Sequence, residues 1–169
     1  MTSLVSCDYF KGEKPPRLYT DSLSRDYAQI RKNNISDIHY SLKFNLTERD
    51  AFRGEAQINF TLSAPFFLTL DFSQGVVESL FVNSLAIKKN TYKGQFIEIP
   101  KTALVQGVNS IVVNYKHVYG SDASGLLQYK DPIDGRYYLY SYLDYYKANR
   151  LFPSFDQPNL KATYETEVI

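Results

Sequence analysis

From residue 37 onward the chain alternates apolar and polar positions. In 37–46, Ile38, Tyr40, Leu42, Phe44 and Leu46 alternate with His39, Ser41, Lys43 and Asn45. In 54–62, Ala56, Ile58, Phe60 and Leu62 repeat the pattern. A period of two places one set of side chains on one face of a strand. The polar linker between the two segments makes them an antiparallel hairpin. Further strands are predicted over 66–72, 76–82, 95–99, 110–119, 136–143 and 162–169. Pro65, Gly75, Gly94, Pro100, Gly107 and Asp134-Gly135 fall between them, where turn chemistry belongs. Residues 20–34 are the one helix candidate: Leu23, Tyr27 and Ile30 recur at helical spacing, Ser22 or Ser24 can cap them, and Asn33-Asn34 end them after at most two turns. Closely spaced strands without crossover helices predict an all-β fold, an antiparallel β-sandwich or pair of saddle-shaped sheets with at most one short N-terminal helix.

The ends of the chain read differently. Residues 1–19 lack periodicity, contain Pro15-Pro16, and are expected to be a disordered or extended tail, leaving 20–169 as the folded domain. Within the tail, Leu4-Val5-Ser6-Cys7 is similar to a bacterial lipobox, although no basic and apolar leader precedes it. Localisation is therefore open between cytoplasm and periplasm, with lipidation at Cys7 as one route. The last strand runs into Ile169, which suggests a chain cut from a longer one.

Composition narrows the function classes. With 169 residues and 44% hydrophobic content, the chain can bury a core. A net charge of +1 argues against a nucleic-acid or membrane-surface partner. No run of apolar residues is long enough to span a membrane as a helix. A single Cys excludes an intrachain disulfide and a Cys-based zinc site. The aromatic share is 15%, from 15 Tyr and 11 Phe with no Trp. Tyr137, Tyr138, Tyr140, Tyr142, Tyr145 and Tyr146 crowd one short stretch.

Catalytic motifs are missing. His39 and His117 are the only histidines, and no H-E-x-x-H, nucleophile elbow or phosphate loop occurs. Both histidines are expected to serve the surface or the structure. The informative stretch is 125–164. There Asp131-Pro132 and Asp134-Gly135 make a turn, a Tyr-rich strand follows, and Tyr145–Arg150 form a brief helical turn. Pro153 and Pro158 stiffen an aromatic loop, Phe152–Pro158, which either presents side chains to something outside the domain or fills the core with its aromatics. Exposed Tyr side chains would also suit a free-standing β-sandwich module that binds a peptide or carbohydrate.

This stretch resembles the N-terminal domain of the aminopeptidase N family of zinc metallopeptidases. The resemblance runs through Leu23-Ser24-Arg25, Ile38-His39-Tyr40, Leu70-Asp71-Phe72, Val82-Asn83 and Gly107-Val108-Asn109. It is densest at Gly125-Leu126, Asp131-Pro132, Tyr138-Leu139-Tyr140, Ala148–Pro158 and Leu160–Tyr164, with Ser154 where the family often has Cys. The resemblance implies that the zinc ligands, general base and transition-state tyrosine lie in a following catalytic domain that this chain lacks. It implies a β-saddle that covers the active site, truncated at its C-terminal end, with no metal of its own and no activity alone. Its partners would be a peptide N-terminus and its own catalytic domain. The segment before the Phe-Pro block supplies part of the substrate pocket. The family's Gln and acidic positions there fall on Tyr142 and Asp144. Asp144 would hold the substrate α-amine, which is largely cationic at neutral pH. Tyr142 would reshape the pocket for the first substrate side chain.

Overall fold

The computed structural model describes Arg17, residues 23–88 and residues 91–169. Apart from Arg17, the 1–19 stretch and its Leu4–Cys7 motif lie outside the described residues.

The helix α1 spans Arg25–Asn34, roughly three turns rather than two. Ser24 caps it, its hydroxyl accepting from the Tyr27 backbone N–H at 3.2 Å. Tyr27 is buried as its spacing predicts, but Ile30 is exposed and Arg31 turns inward in its place. The buried face of α1 is therefore held partly by ion pairing.

Ten strands follow: β1 Ile35–Asn45, β2 Ala51–Leu62, β3 Leu68–Asp71, β4 Val76–Val82, β5 Leu85–Ala86, β6 Phe96–Ile99, β7 Gly107–Val118, β8 Gly125–Lys130, β9 Tyr137–Tyr142 and β10 Ala162–Val168. Single 3-10 turns occur at Lys101–Ala103 and Ala148–Arg150. Six strands form one sheet in the order β10-β1-β2-β7-β4-β5, while β3-β6 and β8-β9 form two-stranded ribbons. β1 and β2 form the expected antiparallel hairpin, with Tyr40 opposite Ile58 and Leu42 opposite Ala56.

One pairing departs from the all-antiparallel expectation. β10 joins β1 in parallel, with Ile38 opposite Ala162. Parallel neighbours require a long crossover. Here the chain after β9 passes through the interior, burying Leu151, Phe152 and Phe155, before it reaches β1.

The core lies between the inward face of the large sheet and the β3–β6 ribbon. Phe52, Ile58, Phe60, Leu68, Leu70, Ile97, Ile111 and Val113 are buried in one cluster. Each such side chain contributes about 1.5–3 kcal/mol by leaving water. The Phe152–Pro158 loop joins this cluster through Phe152 and Phe155, so of the two readings its aromatics fill the core rather than face outward. The Phe155 ring meets Phe60 edge-on at 5.3 Å, and Phe152 meets Tyr40 at 5.8 Å. Gly54 sits opposite Tyr115, and a Cβ there would lie 2.3 Å from the phenol ring. The strand needs glycine at that point because the tyrosine fills the space.

Candidate functional site

Asp71 ends β3 beneath the 142–147 segment. It exchanges two backbone hydrogen bonds with Ser154, at 2.8 and 3.0 Å, which fix the buried loop against β3. Its carboxylate is fully buried and gathers donors from four directions. The Arg31 guanidinium grips both oxygens, at 2.7 and 3.2 Å, and Arg17 donates to Oδ1. The Tyr146 hydroxyl donates to Oδ1 at 3.0 Å, and the Asp156 backbone N–H donates to Oδ2 at 2.9 Å. Burial alone would raise the Asp71 carboxyl, but the guanidiniums of Arg31 and then Arg17 hold it below the usual carboxylate range. Burial would likewise lower Arg31, and the Asp71 carboxylate together with the Tyr27 phenol more than offsets it. The Tyr146 phenol is pushed up, first by burial and then by Asp71, so it remains a donor at neutral pH.

Above this cluster stands the β8–β9 hairpin. Its turn closes through Asp131 and Asp134, which accept from the backbone N–H groups of Ile133 and Arg136 at 2.7 and 2.8 Å. Gly135 supplies the positive φ, 70°. Tyr140 lies opposite Leu127 and Tyr142 opposite Gly125. Every residue of β9 is exposed, whereas Gly125 and Leu127 of β8 are buried. At its base the Gly125 φ is 74°, and a Cβ there would meet the Arg150 carbonyl oxygen at 2.6 Å. The close approach of two backbones makes glycine obligatory here.

Tyr142 is the last residue of β9 and is 44% exposed. The Lys147 ammonium lies 4.9 Å from its ring centroid. Asp144 is exposed in the next turn, and its Oδ1 accepts from the Tyr145 N–H at 3.0 Å. Tyr145 and Tyr146 are both left-handed, with φ of 51° and 66°. Two consecutive bulky residues in that region are strained and persist only where their surroundings hold them. The Tyr145 side chain is 86% exposed, whereas Tyr146 turns inward onto Asp71. Asn149 grips the same turn from below. Its Nδ2 donates to the Tyr146 carbonyl at 3.0 Å and to Asp156 Oδ2 at 2.8 Å, while Ser73 Oγ donates to its Oδ1. A hollow of about 260 Å³ opens beside the turn, lined by Gln74, Ser124, Tyr145, Lys147 and Arg150 among others.

The two residues singled out from the sequence thus sit on one exposed corner, separated by Leu143. The residues that hold the corner, Arg17, Arg31, Asp71, Tyr146 and Asn149, carry no local signature beyond the oddity of an Asp in the apolar run Leu70-Asp71-Phe72. The histidines stand apart from it. His39 Nδ1 meets Thr163 Oγ1 at 2.7 Å on the sheet face. His117 is buried, with its ring nitrogens 2.6 Å from the Val118 carbonyl and 2.9 Å from that of Ser73. Among the described residues, no three His, Cys, Asp or Glu side chains come together to hold a metal ion. No helix among them is long and apolar enough to cross a membrane.

A mostly antiparallel sheet with a buried Phe-Pro loop and a strained, exposed turn defines a β domain built to present one corner. The chain belongs to the peptidase M1 N-terminal domain family, whose pattern matches residues 36–169. It is 27% identical over 152 residues to an aminopeptidase N of Streptomyces lividans, covering 87% of this chain and 18% of that protein. It is 25% identical over 169 residues to the alanine/arginine aminopeptidase of Saccharomyces cerevisiae, again spanning 18% of it. Among solved structures it resembles leukotriene A4 hydrolase from Saccharomyces cerevisiae, with a TM-score of 0.65 at 18% identity over 92% of this chain and 25% of that one. It also resembles an M1 zinc metallopeptidase from Deinococcus radiodurans bound to a Tyr-Ser-Ala substrate, with a TM-score of 0.60 at 15% identity over 80% of this chain and 32% of that one. The chain therefore spans about a fifth of the curated relatives it matches.

Proposed function

We propose that this chain is the substrate-covering part of a longer zinc aminopeptidase and that its exposed corner receives the free N-terminus of a peptide. The observation that carries this reading is the Asp144 carboxylate, solvent-facing on a turn clamped to the core through Tyr146 and Asn149. A carboxylate in that position offers the substrate ammonium a charge-assisted hydrogen bond, which selects a chain end over an internal residue. Tyr142 contributes a phenol wall beside it, set by the Lys147 ammonium over its ring. The exposed aromatic β8–β9 hairpin supplies the surface that packs against the rest of the longer protein.

Among the described residues no cluster of His, Cys, Asp and Glu fits a zinc site, and this reading places the metal and the bond-breaking chemistry in the remainder of that protein. What this chain supplies is capture and orientation. In the full-length protein, Asp144→Ala is expected to lower kcat/KM for an aminoacyl-arylamide by about 10–100-fold, chiefly through KM, as loss of one hydrogen bond to a charged group implies. An unchanged kcat/KM would remove Asp144 from the anchor role.

A further inference from the structure

Asp71 is held by two guanidiniums whose other contacts only partly overlap. Arg31, on α1, also donates to Thr69, at 2.7 Å to the carbonyl and 2.8 Å to Oγ1. Arg17 donates from Nη1 to Asp71 and, at 3.5 Å, to Thr69 Oγ1, and from Nη2 to the hydroxyl of Tyr146, 129 residues away along the chain. Its guanidinium lies over the Phe96 ring at 4.5 Å and within 6.0 Å of the Tyr146 ring centroid. Arg17 is itself buried. One side chain thus joins β3, β6 and the strained turn that carries Asp144.

We propose that Arg17 is a positioning residue that locks the 144–147 turn and so sets the place of the Asp144 carboxylate for amine capture. This rests on the reading of Asp144 given above. Tyr145 and Tyr146 adopt left-handed backbone that their side chains disfavour. Something outside the turn must hold it. Asn149 holds the Tyr146 carbonyl, and Arg17 with Asp71 holds the Tyr146 hydroxyl. Without Arg17, Asp71 still keeps Arg31, so the core ion pair survives and the turn is what loosens. The planar, forked guanidinium suits this task because it stacks on an aromatic ring while donating in two directions, which a lysine does not reproduce.

The test uses the full-length protein with Arg17→Met, Tyr146→Phe, the double variant and Asp144→Ala. Two readouts are taken: steady-state kinetics on an aminoacyl-arylamide, and amide hydrogen exchange over residues 144–149. Each single latch variant is expected to raise KM about tenfold while kcat stays within about twofold, since a small misplacement of a binding group weakens capture before it touches chemistry. The double variant should be no worse than the poorer single one, because both changes break one link. Exchange at 144–149 should quicken in Arg17→Met. If Asp144→Ala raises KM and Arg17→Met leaves it unchanged, the latch is overturned. If Asp144→Ala itself has no effect, the amine-anchor reading fails, and exchange alone decides the latch: faster exchange retains it as a clamp on the turn, and unchanged exchange removes it.

Discussion

Asp71 and Tyr115 both bury polar atoms, with opposite consequences. Asp71 collects donors on both oxygens, so its burial is offset by partners. The Tyr115 hydroxyl is buried against Gly54 and finds no hydrogen-bond partner among the described residues. Its burial pushes the phenol up. An unsatisfied buried hydroxyl costs about 1–3 kcal/mol, and phenylalanine keeps the ring without it. Tyr115→Phe is therefore expected to stabilise the protein by about 1 kcal/mol. A denaturant midpoint that falls instead of rising would show that the hydroxyl has a partner in solution. Neither environment is visible along the chain. Tyr115 looks like one more apolar position of a strand. The four partners of the Asp71 carboxylate lie 40, 54, 75 and 85 residues from it, and no local pattern links them.

Among the elements, those with one wet face were the most readable. In β1, β2 and β7 apolar residues face the core at every second position, so period two specifies both their existence and their register. β8 is not legible because Leu126 interrupts the alternation of Gly125-Leu126-Leu127-Gln128-Tyr129-Lys130, although Gly125 and Leu127 are its buried positions. β5 has two residues and no period to detect. The direction of the Phe152–Pro158 loop is not legible because its prolines imply stiffness and say nothing about which way it faces; the Tyr40 hydroxyl decides that by accepting from the Phe155 N–H at 2.9 Å. The exposed corner was located through its neighbours in sequence, while the supports beneath it were illegible. Helix α1 shows how one cap can matter for an element with little apolar face. Ser24→Ala is expected to cost about 1 kcal/mol, the usual worth of an N-cap. Thermal unfolding measures it, and a Tm unchanged within error would mean that Arg31 and Tyr27 hold the helix start without the cap.

For the whole molecule, the buried ion cluster sets the response to acid. The folded carboxyl of Asp71 lies below its unfolded value. A group depressed on folding lends stability that is complete above the unfolded pKa, near about 3.9, and is lost as pH falls through the folded value. Asp156, raised by burial ahead of its bonds to Asn149, acts in the opposite sense. Unfolding free energy should therefore decline below about pH 4 in the native protein. Asp71→Asn leaves two guanidiniums facing a neutral amide. It should cost about 3–5 kcal/mol at neutral pH and flatten the acid limb. Denaturant titrations across pH test both, and an Asp71→Asn protein with the native acid slope would assign that slope to other carboxylates.

The parallel seam between β1 and β10 also governs how the protein is made. His39 and Thr163, paired across it, are 124 residues apart. At a translation rate of about 5–20 residues per second, β1 leaves the ribosome about 6–25 s before its neighbour exists. Closing so large a loop costs about 4 kcal/mol of chain entropy on top of a constant, so the seam forms after the local hairpins. Throughout that interval the nascent chain carries β1 as a bare border, open to strands of other chains. Sealing it falls to β10, and a synthesis interrupted before that strand leaves a sheet that is folded on one side and adhesive on the other.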